Sequence, residues 1–278
     1  MNRVDEMFTT GPETLVARSR AIVAGSVSSY SKEVKEQSQG AAPIPIRWVI
    51  SGRLERPETL KGNPPGTSLQ ISREERSPFL PAPEPKPAWQ AAYDPWQPDD
   101  KAVAFLGNAP GEILLVLPSG TGERDLISLV RLIVKIPATA SSERDQAAAW
   151  QSHLLSGEAS SAESKRVALR SLMRLTRNWN DVASTWDAVM RKADANLRRY
   201  AYGIVAYGIV HENWSDAIKP AEFLCTLLLK ETDTEIAEDY LQYLDLVQRF
   251  AANEKSGGQR KALGDQIRGC LQKRGAIR

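Results

Sequence analysis

The sequence predicts a two-domain α+β protein: a β-rich half over residues 1–137, a linker at 138–143, and an all-α half over residues 144–278. Three observations predict it. The phrase Asn178-Trp179-Asn180-Asp181 returns as Asn213-Trp214-Ser215-Asp216, 35 residues later. A second echo follows each copy, Lys192-Ala193-Asp194-Ala195-Asn196-Leu197 and then Glu231-Thr232-Asp233-Thr234-Glu235-Ile236, 39 residues on. Repeats of this length mark stacked helix pairs, none of which buries its apolar face alone. Third, near Arg124 the apolar spacing changes from the period of strands to that of helices.

With 278 residues, 42% hydrophobic and 25% charged, the chain has room for two modest cores and the balance of a soluble globular protein. A net charge of +2 argues neither for nor against an acidic partner. No run approaches the roughly 18 apolar residues of a membrane-spanning helix. Met1–Thr10 is charged and lacks the apolar centre of a secretory signal, so the protein is cytoplasmic or has lost a targeting segment. Cys225 and Cys270, the only cysteines, are too few for a disulfide framework or a four-ligand zinc site. They read as two free thiols in helical surroundings, with a single bridge as the alternative in an oxidising compartment.

Within the first half, Glu13–Arg18 reads as a helical turn and Ala21–Val27 as a strand. Tyr30–Ala42 is polar and reads as a loop. Ile44, Ile46, Trp48 and Ile50 then alternate with Pro45, Arg47 and Val49, a half-buried strand. Arg53–Gly62 leads into the turn Asn63-Pro64-Pro65-Gly66, and Thr67–Ile71 is a short strand. Residues 78–98 hold seven of the 17 prolines around Trp89, Tyr93 and Trp96, which excludes a central strand or a long helix and leaves an extended loop. Ala102–Leu106 and Glu112–Leu117 read as a hairpin. Leu126, Leu129, Val130, Ile133 and Val134 recur at helical spacing over Arg124–Lys135, and Pro137 is expected to end that helix.

The second half reads as helices throughout. Arg144–Leu155 pairs with Ala162–Thr176, Asp181–Arg191 with Asn196–Val210, and Ala221–Lys230 with Glu235–Ala251, while Gln259–Leu271 caps the end. Leu197, Ala201, Ile204, Val205 and Gly208 form the buried stripe of the central helix. Gly203 and Gly208 each cost about 1 kcal/mol relative to Ala in a helix, which closer approach of a neighbour would offset.

Two resemblances follow from these residues. The second half resembles HEAT-type repeats over roughly residues 145–251, with an Asp in the turn inside each pair (Asp194, Asp233) and an apolar-Arg step at Leu197-Arg198. Ile236-Ala237 lacks the Arg, so the match is partial. The first half resembles a small bacterial OB-like β-barrel related to the netrin-like and tissue-inhibitor-of-metalloproteinase folds. Arg18–Val27 stands for its opening strand, Pro45–Gly62 for the second, and Pro98–Leu106 for a late strand before a variable hairpin. Those inhibitors place an N-terminal Cys on the target's zinc; this region has no Cys, so the barrel is implied and the inhibition is not. Members are mostly exported, which tilts the expected location towards the periplasm.

Several short patterns hint at chemistry and each has a plainer account. Gly120-Thr121-Gly122-Glu123-Arg124 precedes a helix but lacks the Lys-Ser/Thr of a phosphate loop, so it reads as a turn and helix cap. Ser29-Tyr30-Ser31-Lys32 matches Ser-x-x-Lys without its companion motifs and reads as loop. His211-Glu212 lacks a second His one turn away, and His153 belongs to another helix pair. No catalytic, cofactor-binding or metal-binding residues are assigned. Two groups of residues read as interaction sites. Trp89, Tyr93 and Trp96 are the types that anchor interfaces. Arg260, Lys261, Arg268, Lys273 and Arg274 form a basic end that meets phosphate or reads as solvated cap charge. The expected function is a non-enzymatic scaffold or accessory subunit whose partner is another protein. A nucleic-acid-binding module and a hydrolase with an unrecognised site are the alternatives.

Overall fold

A 16-residue strand, β1 (Ala21–Glu36), is the spine of the first of two compact units, residues 1–138 and 139–278. The computed structural model describes residues 11–36, 47–63, 68–76, 101–108, 113–119, 125–156, 161–252 and 258–275. Strand β1 pairs along its whole length with β2 (Arg47–Lys61) and, through Ala21–Ser26, with β4 (Lys101–Leu106). β2 pairs with β3 (Ser68–Arg76) and β4 with β5 (Ile113–Ser119), so the antiparallel order is β3-β2-β1-β4-β5. The β1–β2 register shifts at four places, between Ile22/Val23, Ala24/Ser26, Ser28/Ser31 and Val34/Glu36. Each such bulge bends the strand and increases its twist. The sheet curls into a half-barrel whose edge strands β3 and β5 approach one another.

The polar stretch Tyr30–Ala42 is not all loop: β1 continues through Glu36, and Ser29–Lys32 lies inside it. The reason is the ladder. Ser31–Glu36 pairs with Arg47–Ser51, and backbone hydrogen bonds hold an extended chain without an apolar alternation to announce it. β3 likewise runs past Ile71 to Arg76. Ile44, Ile46, the proline-rich stretch 78–98 and the turn 120–124 lie outside the described residues.

Inside the curl, Val23, Val27, Leu54, Ala102, Ala104 and Val116 form the core, with Leu69, Leu106 and Ile113 at its margin. Side chains alternate across a strand, and the opposite face is buried too: Ile22, Ala24, Val103, Phe105 and Leu117. That is why Ala102–Phe105 is one continuous apolar run. Two helices flank the sheet. In α1 (Pro12–Arg18), Lys61 Nζ donates to the Val16 and Ser19 carbonyls at 2.6 and 2.7 Å, supplying donors to a helix end that lacks them. In α2 (Leu126–Thr139), Asp125 accepts from Ser128 N at 3.0 Å as a cap, and Arg131 grips Glu58 of β2 through two bonds of 2.7 and 2.6 Å. Pro137 does not end α2. In the last turn it removes a single intrahelical donor, and the helix runs on to Thr139.

The second unit contains α3 (Glu143–Leu155), α4 (Ala162–Leu175), a 3₁₀ turn (Trp179–Asp181), α5 (Ala183–Lys192), α6 (Ala195–Val210), α7 (Ile218–Lys230), α8 (Thr234–Ala251) and α9 (Gly258–Arg274). They form three pairs and a cap: α3 with α4, α5 with α6, α7 with α8, and α9 against α7 and α8. The second helices α4, α6 and α8 lie side by side. Each starts on a side-chain cap, Ser161, Asp194 and Asp233, whose oxygens accept from Ser164 N at 3.1 Å, Leu197 N at 2.8 Å and Ile236 N at 3.2 Å.

Central helix α6 is more than striped. The expected residues Leu197, Ala201, Ile204, Val205 and Gly208 are buried, and so are Tyr200, Tyr202, Gly203, Ala206 and Ile209. Helices α4, α5, α7 and α8 all touch it, so burial extends beyond one stripe once the chain is past Asn196, Arg198 and Arg199 of its first turn.

Candidate interaction surfaces

The repeated Asn-Trp-x-Asp phrases meet each other. Trp179 and Trp214 stand edge to face with centroids 5.3 Å apart, Phe223 lies 5.2 Å from Trp179, and Ser215 N donates to Arg177 O at 2.8 Å. Asn178 and Asp216 each accept a backbone bond in their own turn, from Asn180 N at 3.1 Å and Ile218 N at 2.9 Å. Both indoles are buried. The phrase is therefore a joint that fixes one helix pair on the next.

Between α4 and α6 lies a polar network that the sequence reading does not foresee. Arg170, on α4 and buried, bonds Glu163 at 3.3 Å and the Tyr200 hydroxyl, while Arg166 bonds Glu163 at 3.2 Å and lies 5.5 Å from the Tyr200 ring. A buried ion pair gains its attraction against a large desolvation cost, so its clearer role is to fix one register of the two helices. The bracing continues from α6: Arg198 pairs with Glu231 at the end of α7 at 3.2 Å, and Arg199 pairs with Glu235 and Asp239 of α8 at 3.3 and 2.8 Å. The only signal for this in the sequence is the Leu197-Arg198 step.

One turn beyond the Arg199–Asp239 pair, Gly203 lies against the ring of Tyr243. Equal steps on both helices mean that α6 and α8 run alongside in the same direction. Their shared outer strip continues with Tyr207, Val210, Leu246 and Phe250, all half-buried. His211 stacks on Tyr207 with centroids 3.9 Å apart, and Arg260 of α9 lies 4.1 Å over the Phe250 ring and pairs with Glu212. Glu212 holds a left-handed conformation, φ 54°, which side chains other than glycine adopt at a cost. It closes α6: Glu212 N donates to Ile209 O at 3.1 Å and Asn213 N to Gly208 O at 2.9 Å, the Schellman pattern of a helix end. His211-Glu212 is thus a helix end, and His153 is elsewhere, on α3, with Nε2 3.1 Å from Ser164 Oγ.

The basic residues of α9 do not converge. Arg260 is engaged as described, Arg274 donates to Glu231 O at 3.1 Å, and Arg268 lies 3.6 Å from Asp265. At about 100° per residue, Lys261 and Arg268 share a face with Asp265, whereas Lys273 is roughly a third of the circumference away. Trp89, Tyr93 and Trp96 lie outside the described residues. Among the described residues no three His, Cys, Asp or Glu side chains gather as metal ligands, and no helix is long and apolar enough to cross a membrane. Cys225 and Cys270 are both free and both buried.

Comparison with protein-family models, with curated proteins and with solved structures finds no match to this chain.

Proposed function

We propose that the chain is a non-enzymatic protein-binding scaffold or accessory subunit, an OB-like half-barrel followed by a short HEAT-like solenoid. The observation that carries this reading is the half-buried strip of α6 and α8: Tyr207, Val210, Tyr243, Leu246 and Phe250, bordered by the Arg199–Asp239 and Arg260–Glu212 pairs. Rings and aliphatic side chains with a charged rim are the composition of protein–protein interfaces, where a few aromatic anchors supply most of the binding energy. A surface built on parallel helices and braced by side-chain pairs loses little entropy when a partner docks. The solenoid reading draws support from the side-by-side α4, α6 and α8 with their matching caps. The barrel reading draws support from the strand order. Strands β4-β1-β2-β3 follow the Greek-key sequence, and β5 beside β4 with β3 drawing near describes a partly open five-stranded barrel. A nucleic-acid role has less behind it, because the cations of α9 are dispersed and partly engaged.

The test compares native purification of the tagged chain with that of a Leu246→Arg variant having an unchanged melting curve. The expected result is a stoichiometric protein partner that accompanies the native chain and is lost from the variant. Retention on single-stranded DNA or heparin that weakens steeply with salt would transfer the reading to nucleic acid. A partner indifferent to Leu246→Arg, or none, overturns it.

A further inference from the structure

We propose that the α6/α8 strip docks a second copy of this chain, the two copies lying face to face about a two-fold axis that passes near Tyr243. The inference rests on the reading of that strip as a protein interface and names its occupant. A two-fold axis sets two conditions on a surface. At the axis each residue meets itself, so a charge there repels. Away from the axis each end of the surface meets the other end, so the two ends need opposite charge.

The strip meets the first condition. From Tyr200 to Val210 α6 contains no charged residue, and α8 contains none from Tyr240 to Leu244. Gly203 and Tyr243 lie against each other within these two stretches. It meets the second condition as well. Where the two helices begin, Glu235, Glu238 and Asp239 outnumber Arg199. Where they end, Arg249, Arg260 and Lys261 outnumber Asp245 and Glu212. Glu238 and Arg249, both exposed, stand about 8 Å to either side of Tyr243 along α8, and at about 100° per residue they lie within about 20° of one line. Two antiparallel α8 ridges therefore set Glu238 of each copy opposite Arg249 of the other. Gln242, exposed between them, meets itself, and an amide both donates and accepts. A partner of unrelated sequence requires no such antisymmetry.

Size sets the strength. Two neighbouring helices about 25 Å long and about 10 Å apart offer a face at the small end of protein interfaces. The dimer is accordingly reversible, dissociating in the micromolar range. The exposed ion pairs fix the antiparallel orientation, and the apolar centre around Tyr243 and Leu246 supplies most of the affinity.

The experiment is sedimentation velocity on the full-length chain, from low micromolar to several hundred micromolar. The expected result is a reversible monomer–dimer equilibrium that disappears in Leu246→Arg. Glu238→Arg and Arg249→Glu, each with an unchanged melting curve, should each weaken the dimer about tenfold, because like charges then meet at both ends. An equimolar mixture of these two variants should recover it, since each copy then presents to the other the charge it lacks. A chain that stays monomeric at the highest concentration overturns the inference. So does a dimer that survives Leu246→Arg, which lies on another surface, or a mixture that associates no more tightly than its components. A different protein captured through Leu246 by a chain that is itself monomeric would leave the strip an interface and remove the second copy from it.

Discussion

In the sheet unit the fully buried side chains of the inner core are mostly small, Val23, Val27, Ala102, Ala104 and Val116, whereas the helical unit buries Trp186, Tyr202 and Tyr240, with Tyr202 and Tyr240 stacked 3.7 Å apart. The difference reflects what sets position in each. A strand is placed by its backbone ladder, so a close-curled sheet fills its interior with short side chains. A helix satisfies its own backbone and is placed by the shape of what projects from it, so the stack depends on a few large rings. The comparison predicts that the largest single losses of stability lie in the helical unit. Trp186→Ala should cost about 3–5 kcal/mol. Val116→Ala, which removes two carbon groups from the core of the curled sheet, should cost about 2 kcal/mol. Urea unfolding followed by far-ultraviolet circular dichroism measures both, and a reversed order would break the comparison.

Within the helical unit the same logic separates the two glycines of α6. A Cβ at Gly208 would stand 2.4 Å from Trp214 Nε1 and 3.3 Å from Met173 Cγ, both in buried side chains. One at Gly203 would meet the Tyr243 ring at 2.7 Å, the far end of a side chain that is only partly buried. Gly208→Ala should therefore destabilise by about 1–3 kcal/mol as an overpacked site. In Gly203→Ala the displacement of Tyr243 is offset by about 1 kcal/mol of helix propensity, leaving the midpoint of unfolding nearly unchanged. Equal effects at the two positions would show that ring rigidity is not what holds the stack. The sheet unit places its tight glycine differently: Gly62, φ 70°, turns the chain where a Cβ would stand 2.4 Å from Arg20 O, a backbone conflict that no rotamer relieves.

The same contrast explains what is legible in the sequence. Helices such as Ala162–Leu175 and Thr234–Ala251 announce themselves, because apolar side chains at helical spacing are also what packs them. Asp194 and Asp233, which the resemblance places in the turns inside the pairs, are the caps of α6 and α8. The far half of β1 is not readable, since its partner in β2 is chosen by backbone pairing across a bulged register. Pro137 misleads because its cost depends on how much helix follows it. In the candidate surface, Arg199, Tyr207, Tyr243 and Phe250 lie in different helices, and only the parallel alignment of α6 and α8 brings them together. The Arg170–Glu163–Tyr200 network is equally hidden: charged residues in a helical pattern read as solvated until two helices close over them.

Histidine sharpens the division further, because both histidines of the chain, His153 and His211, belong to the helical half. His153 lies on α3 with its Nε2 3.1 Å from Ser164 Oγ and its ring edge-on to Trp150 at 6.3 Å. Burial, with a smaller contribution from the Lys165 charge, holds its pKa below the ordinary 6.5. The folded chain therefore binds fewer protons at this site than the unfolded chain as the pH falls past that value. His153 contributes stability fully present above pH 6.5, and that contribution is lost progressively as the pH falls through 6.5 towards the lower folded-state pKa. The melting temperature of the helical unit should accordingly fall between about pH 7.5 and pH 5.5, where ordinary carboxylates remain ionised. In His153→Gln, which retains a polar partner for Ser164, that slope should flatten while the midpoint at pH 7.5 moves little. A slope unchanged in the variant would place the titrating group elsewhere, and the half-buried imidazole would then have no part in the acid sensitivity of the stack.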